Sequence, residues 1–234
     1  MKGSGRREVA APRAREVDCG VLAARPPQLA VLASGRGSNF EALALASRKG
    51  ELGGTIALLL CDHADAPVLE RARCLGVESM CPPTGRFRTR LEDESPWLDA
   101  LRSRAIDVLL LAGFMRRLHE TLLGAYEDRV LNIHPSLLPA FPGLDAIRQA
   151  FEHGARVTGC TVHLVTAELD AGPIVAQRAI EIRMEDTLES LEARMHEAEH
   201  TLYPEAVRRF LGEAWHRAGR RIVFEGRPAE AAHG

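Results

Sequence analysis

Leu29-Ala30-Val31-Leu32-Ala33-Ser34-Gly35-Arg36-Gly37-Ser38-Asn39, residues 29–39, is the stretch on which the fold turns. It opens as a run apolar at every position, passes through two glycines, and leads into a helical segment at 39–48. A strand apolar on both faces belongs inside a parallel sheet covered by helices on each side. Strand, glycine-bearing turn and helix in direct succession form the start of a βαβ unit. Residues 55–61, 77–81, 106–112 and 129–134 repeat the strand texture, and 66–75 supplies a further helix. The chain therefore reads as an α/β protein with a doubly wound, mostly parallel sheet.

After residue 155 the texture changes. Residues 160–166 and 173–182 flank Leu169-Asp170-Ala171-Gly172, a turn-rich connection suited to an antiparallel pair. The sheet is expected to gain an antiparallel C-terminal extension. A long helix follows, capped by Asp186 or Thr187, with apolar residues at Leu188, Leu191, Met195, Leu202, Val207, Phe210 and Leu211. Pro204 is expected to kink or divide it. Residues 1–27 mix Gly, Pro, Ala and charge without apolar periodicity and are expected to be a disordered extension, with one domain over 28–227 and a disordered tail at 228–234.

The whole chain bounds the function classes. Its 234 residues, 46% hydrophobic and 26% charged, suit one sizeable core. A net charge of -2 argues against nucleic acid as the partner and leaves small molecules. Five cysteines without a Cys-x-x-Cys pair fit a reducing compartment, so the cytoplasm is the expected location. No stretch of about 18 apolar residues calls for a membrane. The assembly is expected to be a monomer or a homodimer.

Four segments could carry chemistry. In the loop Ser34 to Asn39, glycines allow a tight turn and the helix N-terminus offers unpaired amides, a site for phosphate. Phe40 stands where the dinucleotide fingerprint has its third glycine, so a phosphomonoester is preferred to a dinucleotide. At the carboxyl end of the last parallel strand lies Asn132-Ile133-His134-Pro135-Ser136-Leu137-Leu138-Pro139. Residues two apart on a strand share a face, so Asn132 and His134 can converge on one bound atom while Ile133 enters the core. An amide donor beside an imidazole can stabilise an oxyanion at an attacked carbonyl, and the imidazole can also move a proton. Asp170, in a turn, is either a local backbone binder or a carboxylate brought to that strand edge. His196-Glu197-Ala198-Glu199-His200 matches a zinc-protease pattern, with both histidines on one helix face, but also reads as a solvated acidic face. A zinc hydrolase and a catalytically silent nucleotide-binding module thus stand as alternatives.

In order, the loop at 34–39, Leu111-Ala112-Gly113-Phe114-Met115-Arg116, residues 132–139, Gly159-Cys160-Thr161-Val162-His163, the turn at 169–173, and Glu199-His200 before Tyr203-Pro204 are similar to the glycinamide ribonucleotide formyltransferase family over residues 29–211. The resemblance implies a Rossmann-like formyltransferase fold. It also implies formyl transfer from 10-formyltetrahydrofolate, a co-substrate, to the amine of glycinamide ribonucleotide in purine biosynthesis, without a metal. It assigns catalysis to Asn132, His134 and Asp170, and substrate contacts to Gly37, Ser38, Asn39, Gly113 and Glu199. Folate contacts are implied for Arg90, Met115, Arg116, Leu118, Asn132, Thr166, Ala167, Glu168, Leu169 and Asp170. Phe141-Pro142-Gly143-Leu144 after the motif proline matches this family, whereas related transferases for tRNA and sugars place an Arg-Gly-Ala-type stretch there. Two positions depart from the family: Asp145 and Ile147 stand where two histidines are frequent, and Ala171 where glycine is common.

Overall fold

The computed structural model describes residues 25–225. Its strands are β1 (Gln28–Ala33), β2 (Thr55–Cys61), β3 (Glu78–Met80), β4 (Val108–Leu111), β5 (Val130–His134), β6 (Val157–Leu164), β7 (Ile174–Glu181), β8 (Trp215–Ala218) and β9 (Arg221–Phe224). Its helices are α1 (Ser38–Arg48), α2 (Pro67–Leu75), α3 (Ser95–Arg102), α4 (Glu120–Ala125), α5 (Ala146–Glu152) and α6 (Leu188–Gly212). The strands form one sheet in the order β3-β2-β1-β4-β5-β6-β7-β9-β8. Pairings from β3 through β5 are all parallel, as expected. β6 then runs antiparallel to β5, and β7 to β6.

Alternation along the parallel strands sorts their side chains into two cores. Val31, Leu59, Leu110, Leu131 and Ile133 face one layer, where Phe40 and Leu43 of α1, Val68 of α2 and Leu191, Met195, Tyr203 and Phe210 of α6 pack. Leu32, Leu60, Leu109 and Val130 face the other, against Trp97 and Leu101 of α3 and Leu122 of α4. Helices on both faces are what an all-apolar strand requires, because each face must leave water.

The structure differs from the sequence reading in four respects. Several strand ends move by one or more residues: β3 spans three residues, and β6 starts at Val157. Helix α6 is capped by Thr187, whose side chain accepts from Ser190 N, and runs through Pro204 undivided. Leu202, Tyr203, Ala206 and Val207 are buried on either side of the proline, and that packing holds the helix across the missing hydrogen bond. Residues 215–224, for which no element is read from the sequence, form the β8–β9 hairpin at the sheet edge. Helices α3, α4 and α5 were not read from the sequence at all.

The chain is already anchored before β1: Arg25 pairs with Asp107, and Pro27 O accepts from Thr55 N. Residues 1–24 and 226–234, which hold most of the expected extension and all of the expected tail, lie outside the described residues. Among the described residues no helix is long and apolar enough to cross a membrane.

Candidate active site

The carboxyl ends of β1, β4 and β5 lie side by side, and the loops leaving them build the site. On β5, Leu131 and Ile133 enter the core shared with α6, so Asn132 and His134 occupy the opposite face, as strand periodicity predicts. His134 is 5% exposed. Its Nε2 is 2.9 Å from Phe141 O, and a carbonyl only accepts, so Nε2 carries the hydrogen.

The loop that delivers the Phe141 carbonyl is tied down. Ser136 donates to Ala140 O, Thr161 Oγ1 donates to Ser136 O and accepts from Leu138 N, and Gln177 Nε2 donates to Leu138 O. The Leu138–Pro139 bond is cis. Phe141 itself sits at φ 50.

Asp170 reaches the same point from the β6–β7 turn. Its backbone is left-handed, φ 51, a conformation aspartate tolerates better than most residues. Its side chain is 8% exposed; Oδ2 accepts from Gly143 N at 2.7 Å and stands 3.6 Å from His134 Nδ1. That separation is too long for a hydrogen bond and leaves the carboxylate facing the ring nitrogen. Ala171 takes no positive φ, so its replacement of a common glycine is accommodated.

His163, quoted in a motif but given no role from the sequence, joins this group. It faces Asn132 across the β5–β6 register, with its Nε2 3.1 Å from Asn132 Nδ2 and 3.8 Å from Asp170 Oδ1. The strand period was a signal that could have found it, since Val162 and Leu164 enter the core and turn His163 to the other face.

The loop at 34–39 lies beside this centre. Gly37 holds φ 76, and a Cβ there would approach Val68 Cγ2 to 2.3 Å, so the turn into α1 demands glycine. Asn39 Nδ2 donates to Glu199 Oε2 at 3.0 Å, which brings α6 against the loop. Glu199 is 3% exposed.

A family model described as formyl transferase matches residues 27–207. Phosphoribosylglycinamide formyltransferase of Bacillus subtilis is 44% identical over 185 residues, 79% of this chain and 95% of that protein. The Escherichia coli protein of the same name is 38% identical over 197 residues, covering 84% and 90% respectively. The crystal structure of glycinamide ribonucleotide transformylase 1 from Symbiobacterium toebii superposes with a TM-score of 0.79 at 44% identity, covering 85% of this chain and 94% of that one. This chain is a phosphoribosylglycinamide formyltransferase family member.

In this formyltransferase the remaining assigned positions divide between surface and interior. Gly113, at φ 72, links the β4 loop to the loop at 34–39: Ser34 N donates to Gly113 O, and Met115 N donates to Ser34 Oγ. Met115 is exposed, as are Ala167, Glu168 and Leu169, while Thr166 is half-buried and donates to Glu168 O. Arg90 is exposed with its guanidinium 4.1 Å from the Phe87 ring centre. Arg116 and Leu118 differ. Leu118 is buried in the core under α3 and α4. The Arg116 side chain is committed to Asp62, Nε to Oδ2 at 2.7 Å, and to the carbonyls of Phe87 and Arg90. Asp62, 1% exposed on its side chain, was missed because nothing in the sequence pairs it with a residue 54 positions on.

The helix segment 196–200 meets the loop at 34–39 through Glu199. The rings of His196 and His200 stack nearly parallel at 6.3 Å, and His196 Nδ1 donates to Glu199 Oε2. That carboxylate raises the His196 pKa, whereas burial lowers that of His200. Among the described residues no group of three or more His, Cys, Asp or Glu is placed to hold a metal, and nothing in this geometry favours the zinc reading.

Proposed function

We propose that Asn132, His134 and Asp170 carry out the reaction of this family in the following way: the formyl group of 10-formyltetrahydrofolate passes directly to the amine of N1-(5-phospho-D-ribosyl)glycinamide. The neutral amine attacks the formyl carbon, and the carbonyl electron pair moves onto oxygen. An amide N–H of Asn132 and the Nε2–H of a protonated His134 receive that oxyanion, while Asp170 stands against the Nδ1 side of the imidazolium. Collapse of the tetrahedral species breaks the bond to the folate nitrogen, which takes up the proton that the attacking nitrogen gives up, passed through His134 or a water. No covalent enzyme intermediate is needed.

The observation that carries this reading is the state of His134. One ring nitrogen faces a carboxylate, and the other donates to Phe141 O, a contact that a substrate oxygen can replace. The phosphate of the nucleotide is assigned to the amides of Gly37, Ser38 and Asn39, with Glu199 beside it. β1 and β5 are separated by β4 alone, so the loop and the trio lie about 10 Å apart, two strand spacings, a span suited to a phosphate and an amine at opposite ends of one molecule. The exposed segment at 166–169, Met115 and Arg90 are assigned to the folate, with Arg116 acting through the loop it holds.

Mixing both substrates with the protein and following the folate absorbance tests the reading. Turnover is expected, with His134→Ala slower by about a hundredfold to a thousandfold in kcat. Nucleotide binding without turnover would leave a silent binding module in place of an enzyme. The four described cysteines are free thiols, which supports a cytoplasmic location, and the protein is assigned as a monomer or homodimer.

A further inference from the structure

An asparagine serving an oxyanion must present its NH2 end and not its carbonyl oxygen, and a lone amide at a strand end has no intrinsic preference between the two. Here the cross-strand partner supplies one. His163 Nδ1 is 2.9 Å from Leu164 O, and since a carbonyl only accepts, Nδ1 carries a hydrogen. The ring is 2% exposed, and burial pushes its pKa down. Asp170 and the Leu164 carbonyl pull the other way, and His134 works with burial. Burial is the largest of these influences, so the ring is neutral. A neutral ring with hydrogen on Nδ1 has a bare lone pair on Nε2, and that lone pair is 3.1 Å from Asn132 Nδ2.

We propose that His163 is a positioning residue: its Nε2 lone pair holds one N–H of Asn132, fixes which way round the amide sits, and leaves the second N–H as the donor for the formyl oxygen. The inference rests on Asn132 serving as oxyanion donor. It has a second consequence. A charged His163 would compete with His134 for Asp170, which stands 3.8 Å from one ring and 3.6 Å from the other; a neutral one leaves the carboxylate to His134.

Nitrogen NMR of the wild-type protein with 15N-labelled histidine reads the state directly. His163 is expected to show hydrogen on Nδ1 alone and to stay neutral while exposed histidines take up protons. Hydrogen on Nε2 at neutral pH overturns the proposal. In kinetics, His163→Phe removes the acceptor. It is expected to lower kcat on the order of tenfold to a hundredfold with the KM of both substrates nearly unchanged, the pattern of a contact realised in the transition state. His163→Gln, whose side-chain oxygen can accept, is expected to recover part of that loss. The double variant Asn132→Ala, His163→Phe is expected to be no slower than Asn132→Ala alone, because His163 acts through Asn132. Independent, multiplying losses overturn it. Should His163→Phe fail to fold, the wild-type spectrum still decides. A wild type with the expected spectrum but no turnover sinks the reading of the reaction instead, so the two failures are told apart.

Discussion

His163 and His200 have pKa values lowered by burial, while Glu199, 3.0 Å from His196 Nδ1, raises that of His196. The two kinds pull stability in opposite directions with pH. In the unfolded chain all three titrate near 6.5. Below that value the unfolded state binds protons more readily than buried His163 and half-buried His200 do in the fold, so their contribution is full above about pH 6.5 and is lost as pH falls. His196 holds its proton more tightly when folded, so its contribution is full below about pH 6.5 and is lost as pH rises through its folded value. Thermal unfolding of His196→Gln across pH is therefore expected to show a smaller loss of midpoint on the alkaline side, with the acid-side loss retained. A change confined to the acid side would show that the Glu199 contact does not hold the proton. The Asn132 and His134 positions were legible in the sequence because a period of two is a property of any strand. The neutrality of His163 was not, since it depends on which groups from β5 and the β6–β7 turn surround it.

At the scale of the element, glycines with the same letter do different work. Gly35 has nothing within 4 Å of an added Cβ, whereas Gly172 would place one 1.8 Å from Leu164 O, and both are flanked by turn residues in the sequence. Gly172 lets the turn carrying Asp170 lie against β6. Gly172→Ala is expected to cost about 1–3 kcal/mol of stability and, by pushing the turn outward, to lower kcat; Gly35→Ala is expected to leave stability unchanged within about 0.5 kcal/mol. Denaturant unfolding together with turnover checks both, and equal effects at the two positions would show that contact with Leu164 does not set the turn. The distinction was invisible beforehand because the neighbours lie outside the local sequence. The same holds for Arg116. The family resemblance implies a folate contact for it, while its guanidinium is held by Asp62 at the end of β2. Strand texture, by contrast, identified β1, β2, β4 and β5, since burial on both faces is written into composition, while the short helices α3, α4 and α5 carry too few turns for a period to emerge.

Across the whole molecule the site lies where the sheet changes character. β5 is the last strand of the parallel half, and β6 is the first antiparallel one, so Asn132 and His134 come from one half while His163 and the Asp170 turn come from the other. The far edge, β9 and β8, is separated from β5 by two further strands. Trp215 of β8 is 6% exposed, stacks on Phe210 of α6 with ring centres 4.8 Å apart, and donates its indole N–H to Phe210 O. It closes the end of the core under α6 without touching the site. Trp215→Ala removes that stack and leaves a cavity, an expected loss of about 3–5 kcal/mol. In a chain of this size that corresponds to a melting midpoint lower by roughly 6–20 °C. Below the new transition kcat and both KM values are expected to match the wild type, because Trp215 packs on α6 while the hairpin meets β7 through Arg220 and Arg221 at Ile174, a contact that the substitution leaves in place. A kcat that falls with the midpoint even in the folded range would mean that the sheet transmits edge packing to Asp170, and that the hairpin is part of what holds the trio in place.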